Sequence, residues 1–329
     1  MFGPVLVAGV SVTFLASVAG AAVTAMTPIV LAALGEIISE RAGILNLGVE
    51  GTMLMSALFS FIVALSTESL ALGFLAGIAV GVVVGAVHAF LSVSLKADQV
   101  ISGLMITLLG AALTVFFGTA WSQRSIDGVE KVFFPLIGEP LSAIPVVGRV
   151  LFYSTPTDFL ALFLVPVTWY GLYRTNLGRE VIAVGEDPET ADTVGVSVPR
   201  VRYGATILGS ALAGLAGAHL ILAWLNQWSN GMTAGMGWIA IALVIVSRWR
   251  PFRALGVAFV FATLRVLQIR IQGFELGDGL IGGVLLNPSF FALYPYIATI
   301  IVLAWAARRE GDDRLGSPSA LAQAYRREE

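Results

Sequence analysis

The chain has 329 residues, of which 57% are hydrophobic and 12% are charged, and its mean hydropathy is +0.88. Soluble globular domains carry about 25% charged residues, so this composition excludes an ordinary soluble domain and indicates a membrane protein. The sequence contains no cysteine, which excludes disulfides, thiolate metal sites and thiol nucleophiles, and its net charge of −2 identifies no partner.

Apolar stretches divide the chain into about ten predicted helical segments. The N-terminal stretch lacks a basic region followed by a small-residue cleavage site, so we expect a retained helix and not a signal peptide. Several segments are short, and the last is interrupted by Asn287-Pro288. The predicted fold class is all-α, a polytopic membrane protein with about ten transmembrane helices, including broken or half-length helices. The segments are 4–25, 27–38, 43–66, 69–95, 99–121, 150–173, 203–225, 235–249, 251–271 and 280–306.

Glycines recur at the spacing of a helix face. Gly77, Gly81 and Gly85 form one such row, and Gly214 and Gly217 form another. Small residues let helices approach closely in lipid, so we expect both rows to mark helix-packing faces.

One long polar interruption, residues 174–202, separates the apolar segments. Most loops in compact proteins have about 4–6 residues, so the length of this one favours the docking of a soluble partner over an ordinary connector. Asp187 can cap a helix, Pro188 suits its first turn, and Gly195 suits a left-handed end. The sequence therefore predicts a short surface helix at 187–195.

Basic residues predict the orientation of the chain. The loop 174–202 carries four arginines and the tail after residue 307 carries five, with four predicted crossings between them. The positive-inside rule places both in the cytoplasm. We expect a transmembrane domain at 1–307 and a cytoplasmic C-terminal tail at 308–329. The side of the N-terminus stays open, because 27–38 is either a crossing or a re-entrant segment.

Charged and amide residues interrupt the apolar sequence after residue 35. Glu36, Glu40 and Arg41 fit two interpretations, a broken helix that lines a polar path or a cytoplasmic turn whose charges are solvated. Asn46 and Glu50 lie inside the next apolar segment, where polar groups are tolerated only if they are buried in protein or line water. These two residues favour the path interpretation.

The sequence contains no catalytic constellation. It has no Gly-x4-Gly-Lys-Ser/Thr phosphate loop, no His-Glu-x-x-His and no Gly-x-Ser-x-Gly, and we predict no catalytic or metal-binding residue. His88 and His219 lie on apolar segments without a carboxylate at metal-ligand spacing, so we expect structural roles for both. The basic residues follow topology and do not form a face, so nucleic-acid binding is not predicted.

Four motifs carry a resemblance to a known family. They read GEIISERAGILNLGVEG at 35–51, ADQVISG at 97–103, YGATILGSALAGLAG at 203–217 and GMTAG at 231–235. With the polar loop, they resemble the permease subunits of bacterial ABC importers in the sugar and branched-chain amino acid permease superfamily. The motif at 35–51 is similar to the signature of the nucleoside branch, which works with a basic-membrane-protein-type lipoprotein. Thr52, Ser56 and the basic turn at 247–253 depart from the family pattern.

The resemblance implies a coupling region at 178–195, which receives the conformational change of a separate ATPase subunit. It also implies a broken helix within 27–66 that lines the translocation path. The expected coupling residues are Gly178, Arg179, Glu180, Gly185, Glu186, Asp187, Pro188, Glu189, Ala191 and Gly195. The expected path residues are Asn46, Glu50, Gly48, Gln99, Ser102, Asn226 and Thr233.

The resemblance also implies the partners of the chain. They are an ATP-binding cassette ATPase, a second and paralogous permease, an extracytoplasmic substrate-binding lipoprotein and membrane lipid. We expect no cofactor on this chain, with ATP and Mg²⁺ bound by the ATPase, and a location in the bacterial cytoplasmic (inner) membrane.

The predicted function is to form half of the path of an importer for a nucleoside or a simple sugar. The alternative is an ion-coupled secondary transporter or channel for a small polar solute, in which Glu50 or Asp158 would titrate. That alternative does not explain the long polar loop.

Overall fold

The computed structural model describes residues 6–7, 10–134, 138–141, 144, 147–271, 293, 297, 300 and 316–326. The all-α prediction is confirmed, because six helices of this described part are long and apolar enough to cross a membrane. The elements are β1 (Leu6–Val7), β2 (Val10–Ser11), α1 (Val12–Arg41), α2 (Val49–Thr67), α3 (Leu70–Ala89), α4 (Gln99–Gly118), β3 (Val132–Phe133), α5 (Gly138–Leu141), α6 (Val147–Phe152), β4 (Tyr153–Ser154), α7 (Pro156–Arg174), α8 (Asn176–Glu186), α9 (Pro188–Thr193), α10 (Val198–His219), α11 (Met236–Ser247) and α12 (Pro251–Ile271).

Helix α1 corrects the prediction of two separate segments at 4–25 and 27–38. It is one helix from Val12 to Arg41, with Pro28 in its interior. Proline has no N–H for the carbonyl four residues earlier, which is that of Thr24. That carbonyl lies 3.2 Å from Nε2 of His219, which supplies the missing donor. A donor from α10 therefore lets α1 continue through its proline.

Other boundaries also differ from the prediction. Residues 122–149 lie between two predicted helical segments, and the structure shows that they contain α5, part of α6 and strand β3, which pairs with β4 in antiparallel register. Helix α7 begins at Pro156, because Thr155 and Asp158 form a capping box there. The expected segment 280–306 lies outside the described residues apart from residues 293, 297 and 300.

Three helices form the centre of the bundle. In the most apolar 18 residues of α1, α2 and the span that contains α10, 83%, 72% and 78% of positions are buried. In α3, α4 and α12 only 22%, 33% and 28% are buried, although α3 and α4 are more apolar than the central helices and α12 is similarly apolar. Apolar side chains exposed on a membrane-spanning helix face lipid or another chain, so α3, α4 and α12 form the periphery.

Both glycine rows lie on helix-packing faces, as the sequence predicted: the row of α3 and Gly214 of α10 face each other, whereas Gly217 packs on α2. A Cβ at Gly81 would lie 2.3 Å from the backbone oxygen of Ser210, and one at Gly214 would lie 2.4 Å from that of Gly77. Neither distance leaves room for a methyl group, since the opposing atoms belong to the backbone. Helices α3 and α10 therefore touch backbone to backbone along this seam.

We expect Gly214→Ala to destabilise the protein, because the added methyl group forces α10 away from α3. Overpacking of this kind costs about 1–3 kcal/mol. The matched control is Gly204→Ala on the same helix, where nothing lies within 4 Å of the added carbon. Thermal unfolding in detergent should show a lower melting temperature for Gly214→Ala alone, and equal melting temperatures would contradict the close packing.

Candidate functional site

Residues 42–48, between α1 and α2, form a non-helical segment within the bundle, and we call it the unwound segment. Its backbone is hydrogen-bonded by side chains of other elements. Gln99 Oε1 accepts from the N–H of Leu45 at 2.8 Å, and Thr107 Oγ1 donates to the carbonyl of Leu47 at 2.9 Å. Buried backbone groups that lack partners are costly, so these side chains permit the break in the helix.

His88 completes the pairing of Leu45. Its Nε2 lies 3.2 Å from the Leu45 carbonyl and its Nδ1 lies 3.0 Å from the Ser102 hydroxyl. A carbonyl only accepts, so Nε2 carries the proton, and Nδ1 of the neutral ring accepts from Ser102. His88 has the structural role that the sequence predicted. Its partners are a carbonyl of the unwound segment and the hydroxyl of Ser102.

Three expected path residues, Asn46, Gly48 and Gln99, thus belong to the unwound segment or bond to it, and Ser102 bonds to the histidine that contacts it. Gln99 bonds to the backbone of Leu45, and Ser102 bonds to His88. The Asn46 side chain accepts from the N–H of Gly48 at 3.0 Å. The Asn46 amide also donates to Ser210 of α10 at 3.3 Å. At Gly48 a Cβ would lie 2.9 Å from the side chain of Ile106, so glycine fits a close contact.

Glu50 joins the N-terminal ends of α2 and α11. Its Oε1 accepts from the hydroxyl of Thr233 at 2.5 Å and from the N–H of Gly235 at 2.9 Å, and its Oε2 accepts from the N–H of Gly237 at 2.7 Å. Helix α11 has only 12 residues, and a carboxylate stabilises the positive end of a helix. The structure brings the expected path residues Glu50 and Thr233 into direct contact.

Asn226 has a different environment. It ends the π-helical extension of α10, residues 220–225, in a left-handed conformation with φ of 56°. Its carbonyl accepts from the N–H of Ile126 at 2.9 Å, and its side chain packs on Gly128. The residue therefore belongs with the connection between α4 and β3.

Glu36 and Glu40 lie inside helix α1 and are fully buried, so the interpretation as a solvated turn is wrong for both. Trp249 Nε1 donates to Oε2 of Glu40 at 2.5 Å. The Arg41 guanidinium lies 6.0 Å from the centre of the Trp249 ring and 3.8 Å from Oε1 of Glu186. A continuous row of polar contacts therefore leads from α8 through the end of α1 to the turn between α11 and α12.

A buried cluster around Asp158 was not identified as structural from the sequence. Asp158 accepts from the hydroxyls of Thr24 at 3.1 Å and Thr27 at 2.6 Å, and His219 Nε2 lies 3.7 Å away. Nδ1 of His219 lies 2.7 Å from the Thr157 hydroxyl. The signal that could have located this cluster is the spacing of Thr155 and Asp158 in the capping box before α7. The cluster ties α7 and α10 to α1 beside Pro28.

Helices α8 and α9 form a polar surface, residues 176–195, which we call the α8–α9 surface. The predicted cap is present, since Asp187 accepts from the N–H of Thr190 at 2.9 Å and from its hydroxyl at 2.6 Å. These bonds lower the pKa of Asp187, so the carboxyl is charged at neutral pH. Gly195 follows α9 with φ of +89°, as the sequence predicted.

The ten expected coupling residues divide into three groups by burial. Gly178, Gly185 and Ala191 are buried packing positions, and a Cβ at Gly185 would lie 2.1 Å from the carbonyl oxygen of Arg41. Glu180 and Pro188 are half-buried. The remaining residues are exposed and available to a partner: Arg179, which bonds to Asn176, and Glu186, Asp187, Glu189 and Gly195.

The C-terminal segment, residues 316–326, lies against the α8–α9 surface, which no sequence pattern predicted. The N–H of Ala320 donates to the carbonyl of Gly185 at 2.9 Å, and the N–H of Ala322 donates to that of Gly43 at 3.2 Å. Tyr325 packs on a small apolar cluster of Val184, Ala191 and Val198. This segment therefore bridges α8, α9 and the start of the unwound segment.

Comparison with known proteins gives consistent matches along most of the chain. Residues 18–287 match the family described as branched-chain amino acid transport system / permease component. The putative glucose ABC transporter permease protein TsgC13 of Haloferax volcanii is 52% identical over 96% of this chain and 99% of its own length. The nucleoside permease protein NupC of Lactococcus lactis is 33% identical over 84% and 88%, and the guanosine permease protein NupQ of Bacillus subtilis is 30% identical over 84% and 87%. No solved structure matches the chain.

We expect Glu50→Gln to destabilise the protein, because an amide nitrogen would replace one of the two oxygens that accept three hydrogen bonds. Hydrogen bonds to a charged group contribute about 1.5–3 kcal/mol, which sets the expected loss. The control is Glu130→Gln on the exposed connection after α4. Thermal unfolding in detergent measures both, and a wild-type melting temperature for Glu50→Gln would show that the carboxylate does not hold α11.

We expect Trp249→Phe to cost about 1–3 kcal/mol, because it removes the indole donor from the buried carboxylate of Glu40. An aromatic ring remains beside Arg41, so the substitution isolates the hydrogen bond. Trp169→Phe is the matched control, since Trp169 packs against Phe252 at the edge of the bundle. Chemical or thermal unfolding should separate the two variants, and equal stability would contradict the assigned role of Trp249.

Proposed function

Because the chain belongs to the branched-chain amino acid transport system permease family, whose members are ABC transporter permease subunits, we propose that it forms one half of the translocation path of an ATP-driven importer. The chain is a multi-pass membrane protein and a transport component, not an enzyme. ABC permeases in general work with an ATPase and a binding protein. The family relationship favours this function over the ion-coupled alternative.

The proposal assigns specific partners and an orientation. A second, paralogous permease completes the pore, an ATPase that binds ATP and Mg²⁺ docks on the α8–α9 surface, and an extracytoplasmic lipoprotein delivers the cargo. The chain then lies in the cytoplasmic membrane with the α8–α9 surface and the C-terminal tail in the cytoplasm. The arginines of 174–202 and of the tail support this orientation.

One observation carries the coupling proposal. The exposed α8–α9 surface is joined to the membrane-embedded helices by the close contact of Gly185 with the Arg41 carbonyl and by the Glu186–Arg41 pair. Arg41 ends α1, and the unwound segment begins at the next residue. A displacement of α8 and α9 by the ATPase would therefore reach the unwound segment directly, without an intervening flexible linker.

We place the path at the junction of the unwound segment, Glu50 and the start of α11. Broken helices whose ends meet inside the membrane are typical of transport sites. Asn46, Gln99, Ser102 and Thr233 contribute neutral polar side chains there, and Glu50 accepts three hydrogen bonds at the start of α11. This suits an uncharged cargo rich in hydroxyl groups.

The proposed cargo is glucose or a nucleoside. The relative with 52% identity is named a putative glucose permease, and the relatives at 33% and 30% are named nucleoside and guanosine permeases. Glucose and the ribose of a nucleoside share the hydroxyl chemistry that neutral polar groups recognise. The higher identity of the glucose relative supports glucose as the first candidate to test.

Uptake by a strain that lacks this chain identifies the cargo. Labelled glucose and labelled guanosine are supplied separately, and uptake is restored by the wild-type gene. We expect loss of at least nine-tenths of the uptake of one solute, with the other unchanged as its internal control. Unchanged import of both would contradict the proposed cargo.

A pull-down tests the coupling proposal. The detergent-solubilised chain is purified from native membranes, with residues 187–195 intact or replaced by a Gly/Ser linker. We expect an ATPase subunit and a second permease to co-purify with the intact chain, and only the ATPase to be lost on replacement. Retention of the ATPase by the linker variant would show that α9 is not its docking element.

A further inference from the structure

A groove lies between helix α9 and the C-terminal segment, residues 316–326. Its volume is about 280 Å³. One wall comes from Glu186, Asp187 and Glu189, and the other from the stretch 319–326. The groove therefore exists only while the C-terminal segment is docked on the α8–α9 surface.

Four contacts fix the docked position. The backbone of residues 320 and 322 donates to the Gly185 and Gly43 carbonyls at 2.9 and 3.2 Å. The buried guanidinium of Arg202 donates through Nη1 to the carbonyl of Gln323 at 2.9 Å, and Ser319 Oγ donates to Glu186 Oε2 at 3.1 Å. Contacts with three separate parts of the chain fix this segment in place, so it forms a defined side of the groove.

The groove presents negative charge to a partner. Glu186, Asp187 and Glu189 are exposed along one wall, and Arg326 is the basic residue of its lining. The Asp187 carboxyl is charged at neutral pH because its hydrogen bonds to Thr190 favour the ionised form. Charge complementarity favours a partner segment that carries lysine or arginine.

We propose that the C-terminal segment is the second wall of the ATPase docking site, and that the ATPase subunit inserts a basic segment into the groove between α9 and residues 319–326. This inference rests on the proposed function, which assigns the ATPase to the α8–α9 surface. It makes the C-terminal segment a required part of the interface, and it specifies that the partner segment is basic.

The docked segment also has a consequence for coupling. Its hydrogen bond to the Gly43 carbonyl joins the groove to the unwound segment at a second point, beside the contact of Gly185 with Arg41. A movement of a partner segment bound in the groove would therefore reach the end of α1 through two contacts, one at Gly43 and one at the Arg41 carbonyl. Loss of the C-terminal wall removes one of these two connections.

Cross-linking provides the direct test, and the absence of native cysteine makes it specific. A single cysteine is placed at Ala324, which lines the groove, or at the exposed Ala322, which is on the same segment outside the lining. Both chains are treated in native membranes with a short maleimide–succinimide reagent that captures a nearby lysine. We expect Ala324→Cys to cross-link at least tenfold more to a subunit that mass spectrometry identifies by its Gly-x4-Gly-Lys-Ser/Thr loop.

Variants that fill or recharge the groove provide the second test. We expect Ala324→Trp and Glu189→Arg to reduce the co-purified ATPase at least tenfold, whereas Glu130→Arg retains it. Wild-type amounts of ATPase with Ala324→Trp and Glu189→Arg, or equal cross-linking at residues 322 and 324, would overturn the inference. If the wild-type chain itself retains no ATPase, the proposed function fails, so the two failures are distinguishable.

Discussion

The structure depends on one constraint, which is that the backbone of residues 42–48 leaves the helical conformation inside a membrane bundle and still needs hydrogen-bond partners. Those partners come from Gln99, His88 and Thr107 on neighbouring helices. The break in turn lets α2 start at Val49, which places Glu50 against the N-terminal end of α11. If α1 and α2 formed one straight helix, neither the end of α1 nor the start of α2 would lie at the centre of the bundle. The polar residues of α3 and α4 would then have no free backbone groups to bond with.

The buried acids act as structural groups in this arrangement. Glu50 accepts from the start of α11, Asp158 accepts from Thr24 and Thr27 beside the proline of α1, and Glu40 accepts from Trp249. Each carboxylate joins two or more helices at a place where the regular backbone pattern ends or is interrupted. An ion-coupled carrier requires an acid that is free to exchange a proton during transport, whereas each of these acids is held by hydrogen bonds that join separate elements of the fold. Transport driven by an ATPase that acts on the α8–α9 surface requires no proton exchange at these acids.

Much of this architecture could be predicted from residue patterns, and the exceptions have clear physical causes. The glycine rows of α3 and α10 and the caps of α9 depend on local spacing, so they were predicted correctly. The continuity of α1 through Pro28 was missed, because it depends on His219, which is 191 positions away in the chain. The burial of Glu36 and Glu40 was left open for the same reason, since a charged pair near a turn does not reveal what packs around it. The docking of residues 316–326 uses backbone groups, Ser319, Tyr325 and the distant guanidinium of Arg202, a combination that has no sequence signature. The role of Asn46, Gln99, Ser102 and Thr233 in the path stays a prediction, although the structure gathers these residues near the junction of the broken helices.

The most direct test of the account is solute uptake into proteoliposomes that contain the purified complex, with glucose or guanosine as cargo and the binding protein supplied. Uptake is measured with and without ATP at the α8–α9 side, and with ionophores that collapse proton and sodium gradients. The account predicts uptake that requires ATP and is unchanged by the ionophores. Uptake that follows an imposed proton or sodium gradient in the absence of ATP would contradict it and would assign the transport energy to the buried acids.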